Sequence, residues 1–167
     1  MLVVADTSPI HYLVLIQQDT VLPALYEQVV IPPAVLADLQ QSRTPDAVRA
    51  WIAHPPPWLE VRRPGQVLDA RQFPRLGAGE REAIALAQEL QAPLLLIDDA
   101  DGRAEAERHA LTATGTLGIL ESAAIHGLID LASALTRLQA TTFRARPELF
   151  QELLARDAAR RKQGQRL

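Results

Sequence analysis

The fold is decided first by the opening of the chain, Leu2-Val3-Val4-Ala5-Asp6, an apolar run that ends on a carboxylate. The run is apolar at every position rather than at alternate ones, which is typical of a strand buried on both faces of a parallel sheet. Residues 29–31 and 94–97 have the same character. Each segment predicts a further strand of this kind, so we expect a central parallel sheet.

Helical periodicity fills the spaces between these strands. Apolar residues recur at three- and four-residue intervals in five segments, which predicts helices over residues 9–18, 33–41, 79–90, 103–110 and 116–126. Weaker strands are predicted over 111–114 and 59–61, and loops over 54–58 and 62–75. Short apolar strands that alternate with amphipathic helices favour repeated βαβ units. We therefore predict an α/β fold, a three-layer α/β/α sandwich with a central parallel sheet.

Length and composition fit a single domain over residues 1–167, of which 48% are hydrophobic. The chain has no cysteine, so disulfides and thiolate chemistry are excluded and any metal must be bound by oxygen or imidazole. No apolar run approaches the roughly 20 residues of a membrane helix, and the start of the chain lacks the features of a signal peptide. A cytoplasmic protein without a membrane partner is expected.

Charge is divided unevenly along the chain, although the net charge is only −3. Residues 1–136 carry nine arginines and seventeen acids, whereas residues 137–167 carry eight arginines or lysines and three acids. We expect a basic C-terminal helical tail at about 137–167 that contacts nucleic-acid phosphates or an acidic partner. The alternative is a solvated helix face, which is common for such a run.

Carboxylates follow two of the predicted strands directly. Asp6 comes after the first strand, and Asp98 and Asp99 come after residues 94–97. In open α/β sheets, ligands bind beyond the carboxyl ends of the strands, so we expect these acids at the functional edge. The alternative for each of them is a helix N-cap, a role that Asp often takes without any catalytic function.

Two acids on predicted helices extend this set. Glu80 opens the helix over 79–90 and lies on the same face as the apolar Ile84. It therefore either points into a site or complements the dipole of its helix. Asp38 repeats the pattern more weakly in the helix over 33–41, where an exposed charge is equally consistent with the sequence.

Converging acids need a compensating positive charge. Like charges about 4 Å apart repel by several kcal/mol at intermediate dielectric, and the only lysine of the chain is Lys162. All-oxygen ligation suits Mg²⁺ or Mn²⁺ better than Zn²⁺, and such ions support phosphodiester hydrolysis. The common nucleotide-binding, serine-hydrolase and zinc-protease motifs are absent. The histidines are isolated from one another and are expected to be structural or exposed: His11, His54, His109 and His126.

The ordered set of Asp6-Thr7-Ser8 and the segments 31–38, 79–84 and 94–101 resembles the PIN-domain nucleases over nearly the whole chain. That family binds metal through acids that follow strands or lie in the first turns of helices. The resemblance implies these catalytic residues: Asp6, Asp38, Glu80 and Asp98. It implies these metal ligands, for Mg²⁺ or Mn²⁺: Asp6, Glu80, Asp98 and Asp101. It implies supporting roles for Ser8, Asp99 and Thr116, and leaves open which of Asp98 and Asp99 is the late ligand.

Two short motifs, Asp6-Thr7-Ser8-Pro9 and Gly115-Thr116-Leu117-Gly118, are similar to a prokaryotic subgroup related to VapC-type toxins. This resemblance implies a metal-dependent endoribonuclease that hydrolyses RNA and acts as the toxin of a toxin–antitoxin pair. The implied partners are RNA, an antitoxin protein and a second copy of the chain in a homodimer. The alternative is a catalytically weak or inactive PIN-like module that binds protein or RNA.

Overall fold

The computed structural model of the protein describes residues 1–164. Within them the strands are β1 (Leu2–Ala5), β2 (Gln28–Ile31), β3 (Leu59–Val61), β4 (Leu95–Leu96) and β5 (Ala113–Thr114). The helices are α1 (Thr7–Leu15), α2 (Val21–Leu25), α3 (Pro33–Leu39), α4 (Asp46–Ala53), α5 (Ala78–Glu89), α6 (Ala100–Arg108), α7 (Thr116–Ile125), α8 (Leu131–Gln139) and α9 (Pro147–Gly164).

The five strands form one sheet in the order β3-β2-β1-β4-β5, and every pair of neighbours is parallel. β1 lies at the centre, where Val4 pairs with Val30 on one side and with Leu95 on the other. From β1 the chain builds outward to β2 and β3, and then returns to the other side of β1 to add β4 and β5. The order of the sheet therefore reverses between β1 and β4.

Helices cover both faces of the sheet, which confirms the predicted three-layer α/β/α sandwich. Val3 and Ala5 of β1 face a core to which α1, α7 and α8 contribute. Val4 faces the opposite core, together with Ile84 of α5. A strand that buries alternate residues in two different cores must be apolar throughout, and this explains the uninterrupted apolar run at the start of the chain.

Several elements differ from the sequence prediction. α1 begins two residues earlier than predicted, directly after Asp6, and α6 begins at Ala100, because Asp99 caps it. The helices α2, α4 and α8 were not predicted. In α4 only Val48 and Ile52 are buried, so the helix presents a very short apolar stripe that is hard to recognise in the sequence.

The basic segment at the end of the chain is helical over two stretches. α8 ends at Gln139 and α9 begins at Pro147, with a loop over residues 140–146 between them. Both helices contribute to the main core, for example through Leu138 and Phe150. Arg166, a part of the predicted tail, lies outside the described residues. No helix within residues 1–164 is long and apolar enough to cross a membrane.

Candidate active site

The two strand-end acids lie at the point where the sheet order reverses. Ala5, the last residue of β1, pairs with Leu96, the last residue of β4. Asp6 and Asp98 follow these strands within two residues, so both stand at the same edge of the sheet. This is the position at which open α/β sheets form a crevice for ligands.

Asp6 is a buried acid with little compensation. Its side chain is only 4% exposed, it occupies the N-cap position of α1 without making a side-chain cap, and it forms no ion pair within the described residues. Burial raises the pKa of Asp6 to about 7; the hydrogen bond from the backbone N of Thr7 opposes the rise, and the carboxylates of Glu80, Asp38 and Asp98 add to it. A neighbouring cation would relieve both effects by favouring the ionised form.

Asp38 faces Asp6 across Gly79. A Cβ at Gly79 would lie 3.0 Å from Oδ1 of Asp6 and 3.1 Å from Oδ2 of Asp38, so the missing side chain leaves room for both carboxylates. Thr7 Oγ1 donates to Oδ2 of Asp38 at 3.1 Å, and Gln41 Nε2 donates to its Oδ1 at 2.9 Å. These donors hold the Asp38 carboxylate towards Asp6.

Glu80 caps the start of its own helix and also lines the cavity. Its Oε2 accepts a hydrogen bond from the backbone N–H of Gly77, which caps the start of α5. Burial raises the pKa of Glu80, and the charges of Asp99 and Asp38 raise it further. The same side chain lines the cavity that Asp6 and Asp38 line, so capping does not remove it from the site.

The cavity has a volume of about 390 Å³ and lies between α1, α3 and α5. Of the predicted supporting residues, Ser8 lines it. His11 and Arg43 also line it, although the sequence analysis assigned neither of them to the site. Burial lowers the pKa of His11. The spacing of three residues between Ser8 and His11, which places both on one face of α1, is the signal that could have revealed it.

Asp98 is held by the first residue of α7. The backbone N and Oγ1 of Thr116 donate to the two carboxylate oxygens of Asp98, each at 2.7 Å. Burial raises the pKa of Asp98, whereas the Thr116 donors and the charge of Arg103 oppose the rise. Gly115 is required beside this contact, because a Cβ there would lie 2.5 Å from Oδ1 of Asp98.

Asp99 and Asp98 have different surroundings. Asp99 is exposed, and its Oδ2 accepts from the backbone N of Gly102 at 2.8 Å, so it acts as the N-cap of α6. Asp98 instead is half-buried at the sheet edge, where its charge reaches Asp6. Of the two, Asp98 is the acid that the structure brings towards the others.

Asp101 lies apart from the acids that line the cavity. It is exposed in the first turn of α6, and one of its oxygens lies 3.8 Å from a guanidinium nitrogen of Arg75. The cavity that it lines also includes Phe73 and Glu105, and not Asp6. The structure therefore does not bring this predicted ligand together with Asp6, Asp38 and Glu80.

Glu82, which the sequence analysis left without a role, joins the two helices that carry Asp38 and Glu80. α3 begins after Pro32, which has no side-chain acceptor for the free N–H groups of the first turn. Oε2 of Glu82 accepts a hydrogen bond from the backbone N of Ala34 at 2.9 Å and thereby serves as the missing acceptor. A glutamate on α5 therefore caps α3.

The acids fit a divalent cation by their chemistry. Asp6, Asp38, Glu80 and Asp98 supply only oxygen ligands, and none of them forms an ion pair in the part of the chain that the structure describes. Among residues 1–164, no group of three or more His, Asp or Glu side chains stands close enough together to hold a metal ion. An ion would therefore have to draw the carboxylates closer than they stand here.

Comparison with known proteins places the whole arrangement in one family. A family model described as a PIN domain matches residues 2–158. A solved PilT N-terminus domain protein from the hyperthermophilic archaeon Sulfolobus solfataricus P2 is similar with a TM-score of 0.46 and 21% sequence identity, over 81% of this chain and 94% of that chain. No curated protein matches the chain. The family match includes all the acids described above.

Proposed function

The chain belongs to the PIN-domain family, and on that premise we propose that it is a divalent-metal-dependent endoribonuclease that hydrolyses RNA phosphodiester bonds. PIN domains are generally nucleases. The observation that carries the proposal is the approach of Asp6 and Asp38 across Gly79, in one cavity with Glu80. No arginine or lysine forms an ion pair with these acids in the described residues, so no side-chain cation neutralises them there.

Asp6, Asp38 and Glu80 would hold Mg²⁺ or Mn²⁺, with Asp98 at the edge of the same site. When bound, such a cation supplies Lewis-acid stabilisation of the charge that develops on the phosphate. Asp6 releases its proton to become a ligand, a small cost at neutral pH because its pKa is about 7. Thr7 and Gln41 orient the Asp38 carboxylate before substrate arrives.

Arg43 supplies the positive charge on the cavity wall. An arginine beside a cluster of acids can donate two hydrogen bonds to a phosphate group and hold it near the acids. It forms no ion pair within residues 1–164, so its guanidinium is available for this contact. We assign Arg43 to binding of the scissile phosphate.

The test is cleavage of a mixed single-stranded RNA pool with Mn²⁺, with Mg²⁺ and with chelator. Asp6→Asn is assayed beside the unaltered protein, and Glu107→Gln, an exposed glutamate outside the cavity, is the matched control. We expect metal-dependent cleavage by the unaltered protein and by the control, and none by Asp6→Asn. Cleavage that persists in chelator, or in Asp6→Asn, would refute the proposal.

We also propose that the nuclease is the toxin of a toxin–antitoxin pair, inhibited by an antitoxin protein. Support comes from the similarity of the Asp6-Thr7-Ser8-Pro9 and Gly115-Thr116-Leu117-Gly118 motifs to VapC-type relatives. Induced expression in bacteria should arrest growth, and Asp6→Asn should not. Equal growth of both strains at equal protein levels would contradict the toxin role.

A second candidate is a PIN-like module that binds RNA or protein without cleaving RNA. One observation favours it: carboxylate oxygens of Asp38, Glu80 and Asp98 already accept hydrogen bonds from the protein. Calorimetry with Mn²⁺ separates the two candidates. A folded protein that neither binds Mn²⁺ nor cleaves RNA is a binding module, and its acids serve as caps and helix anchors.

A further inference from the structure

We propose that a cleft beside Asp98 binds the phosphates of the single-stranded RNA that flank the scissile bond, an inference that rests on the nuclease function proposed above. The cleft has a volume of about 550 Å³. Four arginines line it together with the acids Asp98 and Glu121, and we call it the arginine cleft after Arg103, Arg144, Arg146 and Arg156. Asp98 belongs to its wall, so the cleft adjoins the acid site.

Three of the four guanidinium groups form no ion pair among residues 1–164. Arg103 donates to the backbone oxygen of Asp98 at 2.6 Å, and Arg144 donates to the backbone oxygens of Thr141 and Phe143 at 3.2 and 3.0 Å. These carbonyls orient the guanidinium groups without neutralising them. Arg146 likewise forms no ion pair among residues 1–164. A surface that keeps its arginines free of carboxylates attracts anions.

Arg156, the fourth arginine of the cleft, differs from the other three because it is paired with a carboxylate. Arg156 donates to both carboxylate oxygens of Glu121, at 2.7 and 3.1 Å. This fork-shaped pair neutralises Arg156 and fixes α9 against α7. We therefore assign phosphate binding to the other three arginines and a structural role to Arg156.

The apolar residues that line the cleft favour a single strand over a duplex. Leu117 and Leu149 contribute apolar surface, and the ring of Phe143 packs edge-on against Tyr12 and Phe150, with centroid distances of 5.1 and 6.5 Å. Unpaired nucleotides expose sugars and base faces that can pack against such residues, whereas a duplex hides its bases. The anchored Phe143 also fixes the position of Arg144 beside it.

The position of the cleft indicates where a bound RNA strand would continue beyond the acids. The acids at the sheet edge repel phosphate unless a cation is present, so they cannot supply affinity for the rest of the chain. The arginines begin next to Asp98 and continue along the loop over residues 140–146. An RNA whose scissile phosphate lies at the acids would continue into the arginine cleft, where its next phosphates meet positive charge.

The test measures binding of a labelled single-stranded RNA in chelator, where cleavage cannot occur, at several salt concentrations. The cleft variant is Arg144→Gln with Arg146→Gln. The matched control is Arg63→Gln with Arg71→Gln, which removes two exposed arginines that form no ion pair within residues 1–164 and do not line the cleft. Each phosphate contact to a single strand releases about 0.7 counterions. For the cleft variant we therefore expect the slope of log binding constant against log salt concentration to be smaller in magnitude by about 1.4, and binding to be roughly 20-fold weaker at 0.1 M salt. The control should change by less than about twofold.

Arg144→Lys with Arg146→Lys keeps both charges and should retain most of the salt dependence, which separates charge from a folding defect. Equal losses in the cleft and control variants would overturn the proposal, as would undiminished binding by the cleft variant or an absence of RNA binding by the unaltered protein. Binding of an acidic peptide in place of RNA would overturn it too. Cleavage is measured separately in Mn²⁺, so a protein that binds RNA through the cleft without cleaving it refutes catalysis alone.

Discussion

Thr116 donates two hydrogen bonds to Asp98, one from its backbone N and one from Oγ1, and both are 2.7 Å long. The contact joins the start of α7 to the end of β4 and fixes the acid that stands between the cavity and the arginine cleft. Thr116 is fully buried, so water cannot replace a lost donor.

Thr116→Val should lower the free energy of unfolding by about 1–3 kcal/mol, because Oδ2 of Asp98 loses the hydroxyl donor that the fully buried Thr116 supplies. The substitution should also raise the pKa of Asp98 further, since the hydroxyl favours the ionised form. Urea denaturation measures the stability. Thr116→Ser, which keeps the hydroxyl, is the control, and equal stabilities of the two variants would contradict the role of Oγ1.

Gly79→Ala should weaken Mn²⁺ binding at least about tenfold if the acids hold the cation. Substitutions of residues that position the ligands of a metal typically lower metal affinity about 10- to 100-fold. The new methyl group would lie 3.0 and 3.1 Å from the Asp6 and Asp38 oxygens and occupy the space between them. Calorimetry on the folded variant gives the affinity. Gly164→Ala, where nothing lies within 4 Å of the added Cβ, should bind Mn²⁺ like the unaltered protein. Unchanged affinity in Gly79→Ala would place the cation elsewhere.

Without metal, the protein should lose stability between about pH 4 and pH 7. Asp6 keeps its proton in the folded state up to a pKa of about 7, whereas the unfolded chain releases it near 3.8. The folded state therefore binds more protons in this window, so stability falls as pH rises, by about 4 kcal/mol at most. Urea denaturation in chelator at pH 5 and pH 8 measures the fall.

Asp6→Asn removes the charge and should be more stable than the unaltered protein, by a margin that is larger at pH 8 than at pH 5. Saturating Mn²⁺ should stabilise the unaltered protein, by about 2.7 kcal/mol at a hundred times Kd, and should have little effect on the variant. A variant that is no more stable at pH 8 would show that the buried Asp6 carboxylate is compensated by other means.

Glu82→Ala should destabilise the protein by about 1–2 kcal/mol, because the first turn of α3 loses the acceptor for the Ala34 N–H. Glu82→Gln keeps an oxygen acceptor and loses only the interaction of the charge with the helix dipole, about 0.3–1 kcal/mol. Glu107→Ala, at an exposed position of α6, serves as the reference in the same thermal denaturation. Equal loss in Glu82→Ala and Glu107→Ala would exclude the capping role.

Much of the fold and part of the site could be predicted because they depend on local pattern. Asp6 ends an apolar run, and a parallel strand places its last residue at a known edge of the sheet. Asp98 follows β4 in the same way, and the three-layer arrangement follows from the alternation of strands and helices. Glu80 could be placed on the inner face of α5 from spacing alone.

The remainder of the site depends on contacts between distant segments. That Gly79 leaves space for two carboxylates follows from the packing of α5 against α3, and no local pattern encodes it. The three arginines to which we assign phosphate binding come from α6 and from the loop over 140–146, so only the folded chain brings them together. α8 did carry a local signal, because Asp130 accepts from the backbone N of Ser133 as a helix N-cap does.

The central position of β1 also determines when the site can exist. Val4 is made well before Leu95, which is one of its two neighbours in the sheet. Loop closure over such a distance is slow, and Asp98 stays unanchored until Thr116 has emerged from the ribosome. A nascent chain that ends before Thr116 therefore carries Asp6 and Asp38 without an anchored Asp98, so the acid site is completed only when α7 has been made.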